Sequence, residues 1–279
     1  MAEGGAKANR KLEGQNTLLA RTMHALAYDE SHDEIVAPQV FSQAVLTFRG
    51  GANGEEPPIR VIQGPLTQLD NLDQLAIDPV HNEIFVPSRD GNRVLVYRRE
   101  ANGNVAPIRV LEGPDTLLGA SAVAVDPVHD LLLVSGTLTE KAGSPGAGGR
   151  GNRGGGVSIF NRTDQGNVKP KAVIRDRSLG GGRVYVYPPR GEILVSANIG
   201  GGTASAEGGG GENMATDKGF VGVWSIQDNG NVPPRWMIGG PKGVLLQIRG
   251  VTLDPKNKTV IISDKRLNAV LTYSFPELF

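Results

Sequence analysis

Gln74–Leu118 reads QLAIDPVHNEIFVPSRDGNRVLVYRREANGNVAPIRVLEGPDTLL, and the rest of the chain is built from variations on it. Four short apolar runs are divided by turn residues: LAID (75–78), EIFVP (83–87), RVLVY (93–97) and PIRVL (107–111). Between them lie Asp-Pro-Val-His-Asn, Ser-Arg-Asp-Gly-Asn and Glu-Ala-Asn-Gly-Asn. Short runs rich in Val, Ile and Tyr and bounded by Gly, Pro, Asn and Asp predict strands. Pro presets φ and Asn-Gly permits positive φ, so the connections are tight and the strands antiparallel. Four such strands in a repeat of about 48 residues predict one propeller blade, with strands a, b, c and d counted outward from the axis.

The unit recurs. Strand a ends at Tyr28-Asp29, Ile77-Asp78, Val125-Asp126, Val186-Tyr187 and Leu253-Asp254, spaced by 49, 48, 61 and 67 residues. Strand c ends on an aromatic each time: Phe48, Tyr97, Phe160, Trp224 and Tyr273. The expectation is an all-β, five-bladed propeller in one domain, with blades near 22–70, 71–119, 120–181, 182–247 and 248–279 plus 6–19. That last pairing rests on Leu12-Glu13-Gly14-Gln15-Asn16-Thr17-Leu18-Leu19, which nearly repeats Leu111-Glu112-Gly113-Pro114-Asp115-Thr116-Leu117-Leu118. The chain starts on a strand d and ends on a strand c, so the N-terminal strand is expected to complete the last blade and close the ring. Surplus sequence in blades 3 and 4 falls between strands b and c, as glycine-rich loops 136–156 and 199–219. The bc and da connections share one face of a blade, so both loops are expected over the same channel mouth. Loops this long are usually functional or disordered.

Composition narrows the partners. Twenty-nine basic residues balance 29 acidic ones, which removes the electrostatic footprint of a nucleic-acid binder. The Gly148–Gly156 stretch has too few arginines for appreciable counterion release. There is no cysteine, hence no disulfide or thiolate centre, and no apolar run approaches the roughly 18 residues of a membrane span. The first residues, MAEGGAKANRKLEG, lack the apolar core of a signal peptide. A cytoplasmic protein is expected, or the trimmed form of an exported one. A monomer is expected, with a strand-swapped oligomer as the alternative.

Residues copied with the blade read as scaffold. Asp29, Asp78, Asp126 and Asp254 begin ab turns, where a carboxylate accepts backbone N–H groups, and His32, His81 and His129 share those turns. Residues that break the repeat are the candidates for recognition. Before each strand a, at the channel mouth, stand His24, Asp73 with Gln74, Ser121, Arg183, and Gln247 with Arg249. The bc connections add Arg89, Asp90, Asn198, Asp264 and Lys265. This mixed rim suits a small polar or anionic molecule. His24 and Asp73 would form an acid–base pair if they converge, although no nucleophile motif accompanies them.

The order apolar strand, D-P-x-x-N, I-F-V, x-x-x-G-N-R-V-x-V-Y at Gln74–Tyr97 resembles NHL-type repeats and those of YncE-like (lactonase-like) bacterial propellers. The likeness runs over Leu12–Tyr273 outside the two insertions. It implies the propeller fold and an exported or periplasmic protein, within a group that includes binding modules and enzymes holding a metal in the channel. An NHL-type Asp after strand b is matched by Asp264, but Pro87-Ser88 and Ser196-Ala197 depart from it. Two readings follow. The first is a non-catalytic scaffold, without cofactor, that recognises a protein, glycan or small polar ligand on its long-loop face. The second is a metal-assisted hydrolase or lactonase, with a divalent cation such as calcium held by three or more converging carboxylate, Asn or His groups.

Overall fold

The computed structural model describes residues 7–20, 23, 25–138, 155–179, 182–199 and 218–279. Five antiparallel sheets follow one another along the chain, each wound in sequence order, as a five-bladed propeller requires. Blade 1 holds β1 (Ala27–Asp29), β2 (Glu34–Gln39), β3 (Ala44–Arg49) and β4 (Arg60–Gln63). Blade 2 holds β5 (Ala76–Asp78), β6 (Glu83–Ser88), β7 (Arg93–Arg98) and β8 (Arg109–Leu111). Blade 3 holds β9 (Ala120–Asp126), β10 (Leu131–Thr137), β11 (Gly155–Asn161) and β12 (Ala172–Asp176). Blade 4 holds β13 (Val184–Tyr187), β14 (Glu192–Ile199), β15 (Lys218–Ser225) and β16 (Trp236–Gly239). Blade 5 holds β17 (Ile248–Asp254), β18 (Thr259–Asp264) and β19 (Ala269–Ser274).

The middle strands of blades 1 to 4 are buried along most of their length, whereas β18 and β19 of blade 5 are only partly covered. One interface joins Phe85, Val94 and Val96 of blade 2 to Val123, Leu132 and Phe160 of blade 3. The strand-c aromatics Phe48, Tyr97, Phe160 and Trp224 are all fully buried, which explains the aromatic at that position in blades 1 to 4, while Tyr273 of blade 5 is half-buried. The repeated turn acids are scaffold. Asp78 Oδ1 accepts the Val80 and His81 N–H groups, while its Oδ2 lies 2.7 Å from His81 Nδ1. Asp29 with His32 and Asp126 with His129 repeat the arrangement.

The Asn-Gly turns do more than reverse the chain. Gly103 stands at φ +80° and forms a parallel bridge to Ile62 of the preceding blade. Its N–H donates to Val61 O at 2.6 Å, and Asn102 Oδ1 accepts the Val61 N–H at 2.9 Å. The same backbone clasp recurs at Leu111–Gly166, Ile174–Gly230 and Leu12–Gly54. The N-terminal segment therefore occupies a strand-d position against blade 1, as its sequence predicts, and Leu12 and Leu19 pack on Leu46 and Phe48.

Its pairing with the last blade is a different matter. The fifth sheet has three strands, and among the described residues β19 has no partner on its outer edge. Val270 is 71% exposed there, where the equivalent Val45 and Val94 are fully buried.

Candidate functional site

Of the residues before the a strands, Asp73, Gln74 and Arg183 meet at the channel mouth. Asp73 and Gln74 enter β5 of blade 2, and Arg183 enters β13 of blade 4. Arg183 Nη1 donates to Asp73 Oδ1, and both residues are buried. Gln74 Nε2 donates to Val184 O at 2.5 Å. Two polar links thus cross the channel mouth, spanning 110 positions of sequence. Gln74 is fixed in turn by its own backbone, which bridges to Ala122 of β9 and accepts the Val123 N–H at 3.0 Å.

Two further guanidinium groups attend this carboxylate. Arg89, at the end of β6, brings Nη1 to 3.9 Å from Asp73 Oδ2. Arg249, half-buried in β17, is held below the usual arginine range first by burial and then by the positive charge of Arg183, while Asp73 acts the opposite way. Among the described residues nothing hydrogen-bonds or ion-pairs with the Arg249 guanidinium. Among the described residues, the charges of three arginines thus act on the one carboxylate of Asp73, an excess of positive charge in a chain whose net charge is zero.

The other rim residues divide by what they already hold. Asp264 is buried, and its carboxylate accepts four backbone N–H groups, from Leu246, Gln247, Arg266 and Leu267. It staples the approach to β17 onto the β18–β19 turn and has little capacity left for a ligand. Gln247 contributes backbone to this staple, its carbonyl accepting the Lys265 N–H at 2.9 Å, and the Lys265 side chain is exposed. Asp90 is exposed and accepts from Asn71 at 3.0 Å. Ser121 is buried in β9. Asn198 lies in β14 with its backbone opposite Gly219.

His24 lies outside the described residues, as do residues 139–154 and 200–217 of the two glycine-rich loops. The expected meeting of His24 with Asp73 therefore lies outside the described residues, among which Arg183 donates to that carboxylate. No three His, Cys, Asp or Glu side chains converge as a metal-holding group among the described residues.

A second polar system, which the sequence reading passed over, lies on the opposite face beneath the ab and cd turns. Glu83, the first residue of β6, accepts from Arg109 of its own outer strand at 2.7 and 2.6 Å, and from Arg162 of the next blade at 2.7 Å. Glu34 repeats this with Arg60 at 2.5 Å and Arg99 at 3.0 Å. The recurring Pro-Ile-Arg-Val of strand d (58–61 and 107–110) was the available signal.

No family model and no curated protein matches this chain. It is similar to the beta-propeller domain of Myceliophteria thermophila Cps50 (Swd1), at 9% identity and a TM-score of 0.49, over 88% of this chain and 63% of that one. The chain thus spans less than two thirds of that domain's length. No helix among the described residues is long and apolar enough to cross a membrane.

Proposed function

We propose that this propeller is a binding module whose channel mouth takes up an anionic group, the carboxylate or phosphate of a small polar molecule or of an acidic protein or glycan partner. The observation that carries the reading is the excess of guanidinium over carboxylate around Asp73 among the described residues, where the Arg249 head group has no hydrogen bond or ion pair. Arg183 is already locked to Asp73, and Arg89 reaches it from the rim, so the two give the pocket its sign and shape. Arg249 supplies the free planar donors that match a carboxylate or phosphate fork. The carboxylate of Asp73 keeps the arginines from repelling one another before a ligand arrives.

Calorimetric titration with inorganic phosphate, citrate and a uronic acid tests this. Binding of at least one of them is expected, and Arg249→Ala should weaken it by about 10- to 100-fold, the loss of one charge-assisted contact. Absence of binding by all three, or equal affinity in Arg249→Ala, would sink the proposal.

A further inference from the structure

The glutamate clusters beneath the turns supply an internal comparison. Each site is built from three equivalent positions: the first residue of strand b, a residue of strand d, and a residue just after strand c of the next blade. The third position is fixed by the same backbone bond each time, the N–H of Arg99, Arg162, Ile226 and Phe275 donating to the carbonyl of Asn82, Asp130, Gly191 and Lys258 at 2.8 to 3.0 Å. The second is fixed by register, since Arg60, Arg109, Ala172 and Trp236 lie opposite Thr47, Val96, Ile159 and Val223.

Read across the ring, the triplets are Glu34–Arg60–Arg99, Glu83–Arg109–Arg162, Leu131–Ala172–Ile226 and Glu192–Trp236–Phe275. Where the glutamate is lost in blade 3, both arginines are lost with it, and Leu131, Ala172 and Ile226 pack together. Blade 4 breaks this correlation. It retains the glutamate and replaces both guanidinium groups with aromatic rings.

The consequence is visible at the carboxylate. Glu192 is buried, and among the described residues its Oε2 has no hydrogen-bond partner. Its other oxygen lies 3.9 Å from Nε of Arg190, a weak contact, and Arg190 itself donates through Nη1 to Glu277 O. Burial pushes this carboxyl above its ordinary value, with Arg190 and Arg235 pulling the other way, whereas Glu34 and Glu83 stand below theirs. The rings that took the arginine positions meet edge to face, Trp236 and Phe275 having centroids 5.7 Å apart. Trp236 is 43% exposed, beside an exposed Met237. A buried carboxylate without the two guanidinium groups that Glu34 and Glu83 hold, its arginine positions taken by a half-buried and an exposed aromatic ring, is the chemistry of a guanidinium receptor.

We infer that the Glu192–Trp236–Phe275 site between blades 4 and 5 binds the guanidinium of an arginine side chain presented by a partner protein. The molecule itself shows what this glutamate position accepts, since Glu34 and Glu83 each hold two guanidinium groups. Trp236 and Arg190, both nearly half exposed, are the side chains that would turn outward to admit the guest. The site lies on the face opposite the anion site proposed above and is independent of it.

Trp236 is also the reporter, because the other tryptophan, Trp224, is fully buried with its Nε1 bonded to Val232 O at 2.9 Å. The full chain is titrated with the peptide Ac-Gly-Arg-Gly-NH2 and with its citrulline counterpart, by tryptophan fluorescence and by calorimetry. The arginine peptide should bind and the citrulline peptide should not. Glu192→Gln should weaken arginine binding by at least about 10-fold. Trp236→Arg restores the residue type of Arg109 and should abolish peptide binding by filling the site from within, with circular dichroism confirming that the fold is kept. No response to the arginine peptide at millimolar concentration, equal affinity in Glu192→Gln, or undiminished binding by folded Trp236→Arg would each overturn the inference.

Discussion

Arg183 and Asp73 meet across the channel mouth from blades 4 and 2, both buried, joining parts of the chain 110 residues apart. Two charges in such a place are mutually dependent. Removing Asp73 strips the buried Arg183 of its carboxylate, at about 3–5 kcal/mol, whereas replacing both with apolar groups of similar volume removes much of that penalty. Asp73→Ala should therefore lose about 3–5 kcal/mol in denaturant unfolding, and the Asp73→Ala, Arg183→Met double variant distinctly less than the two single losses combined. Additive losses would show that the pair is not coupled.

The glycine clasps make a graded prediction. Gly103 stands at φ +80° with open space where a Cβ would project, so Gly103→Ala pays only for the left-handed backbone, about 1–2 kcal/mol. Gly64, at φ +126°, would place its Cβ 2.6 Å from Cγ of Asn104, whose Oδ1 accepts the Leu66 N–H. Gly64→Ala should thus cost more than Gly103→Ala in thermal unfolding. The reverse order would mean that the clasps do not carry load.

Acid should affect the two kinds of glutamate oppositely. Burial works against ionisation of Glu34 and Glu83, but the hydrogen bonds and charges of Arg60 with Arg99, and of Arg109 with Arg162, prevail and hold both below the ordinary 4.5. Their contribution is present above that value and is lost as pH falls through their folded pKa. Glu192 is raised, so it favours the folded state below 4.5 and loses that effect as pH rises through its folded pKa. Glu192→Gln should raise the melting temperature at pH 7 and change it little at pH 3. An equal shift at both would contradict this assignment.

The chain has no cysteine, which makes the blade 5 edge directly testable. By the register of Val94 with Leu111, a strand d completing β19 would bring Leu12 opposite Val270. The Leu12→Cys, Val270→Cys variant is expected to cross-link within one chain on mild oxidation, closing the ring. A disulfide-linked dimer would assign the pairing to strand exchange between chains, and no cross-link would leave the edge unpaired.

Blade number and strand order were legible because they rest on local chemistry that recurs from blade to blade. Asp-Pro turns, Asn-Gly turns and an aromatic closing strand c each have a short-range cause. The cross-axis links were not legible. Nothing near Asp73 in sequence indicates which of several rim cations it meets, and Arg183 was named without its partner. Asp264 was misleading for a related reason, since a carboxylate consumed by four backbone N–H groups looks, in sequence, like one free for a ligand. The glutamate clusters were readable in principle. They required comparing positions that repeat, whereas attention to what breaks the repeat at the rim passed over a break elsewhere.

The clasps run one way around the ring, each turn gripping the strand behind it, from Gly54 on Leu12 to Gly230 on Ile174. Among the described residues no such grip reaches β16, so the blade 4–5 junction lacks the backbone clasp of the others. Slow amide exchange should accordingly fade from blade 3 toward β16–β19, like a zipper with its last tooth free. That junction is also where Glu192 lacks its arginines. A partner's arginine seated there would act as the missing tooth, and its arrival would be registered as stiffening at the loose end of the molecule.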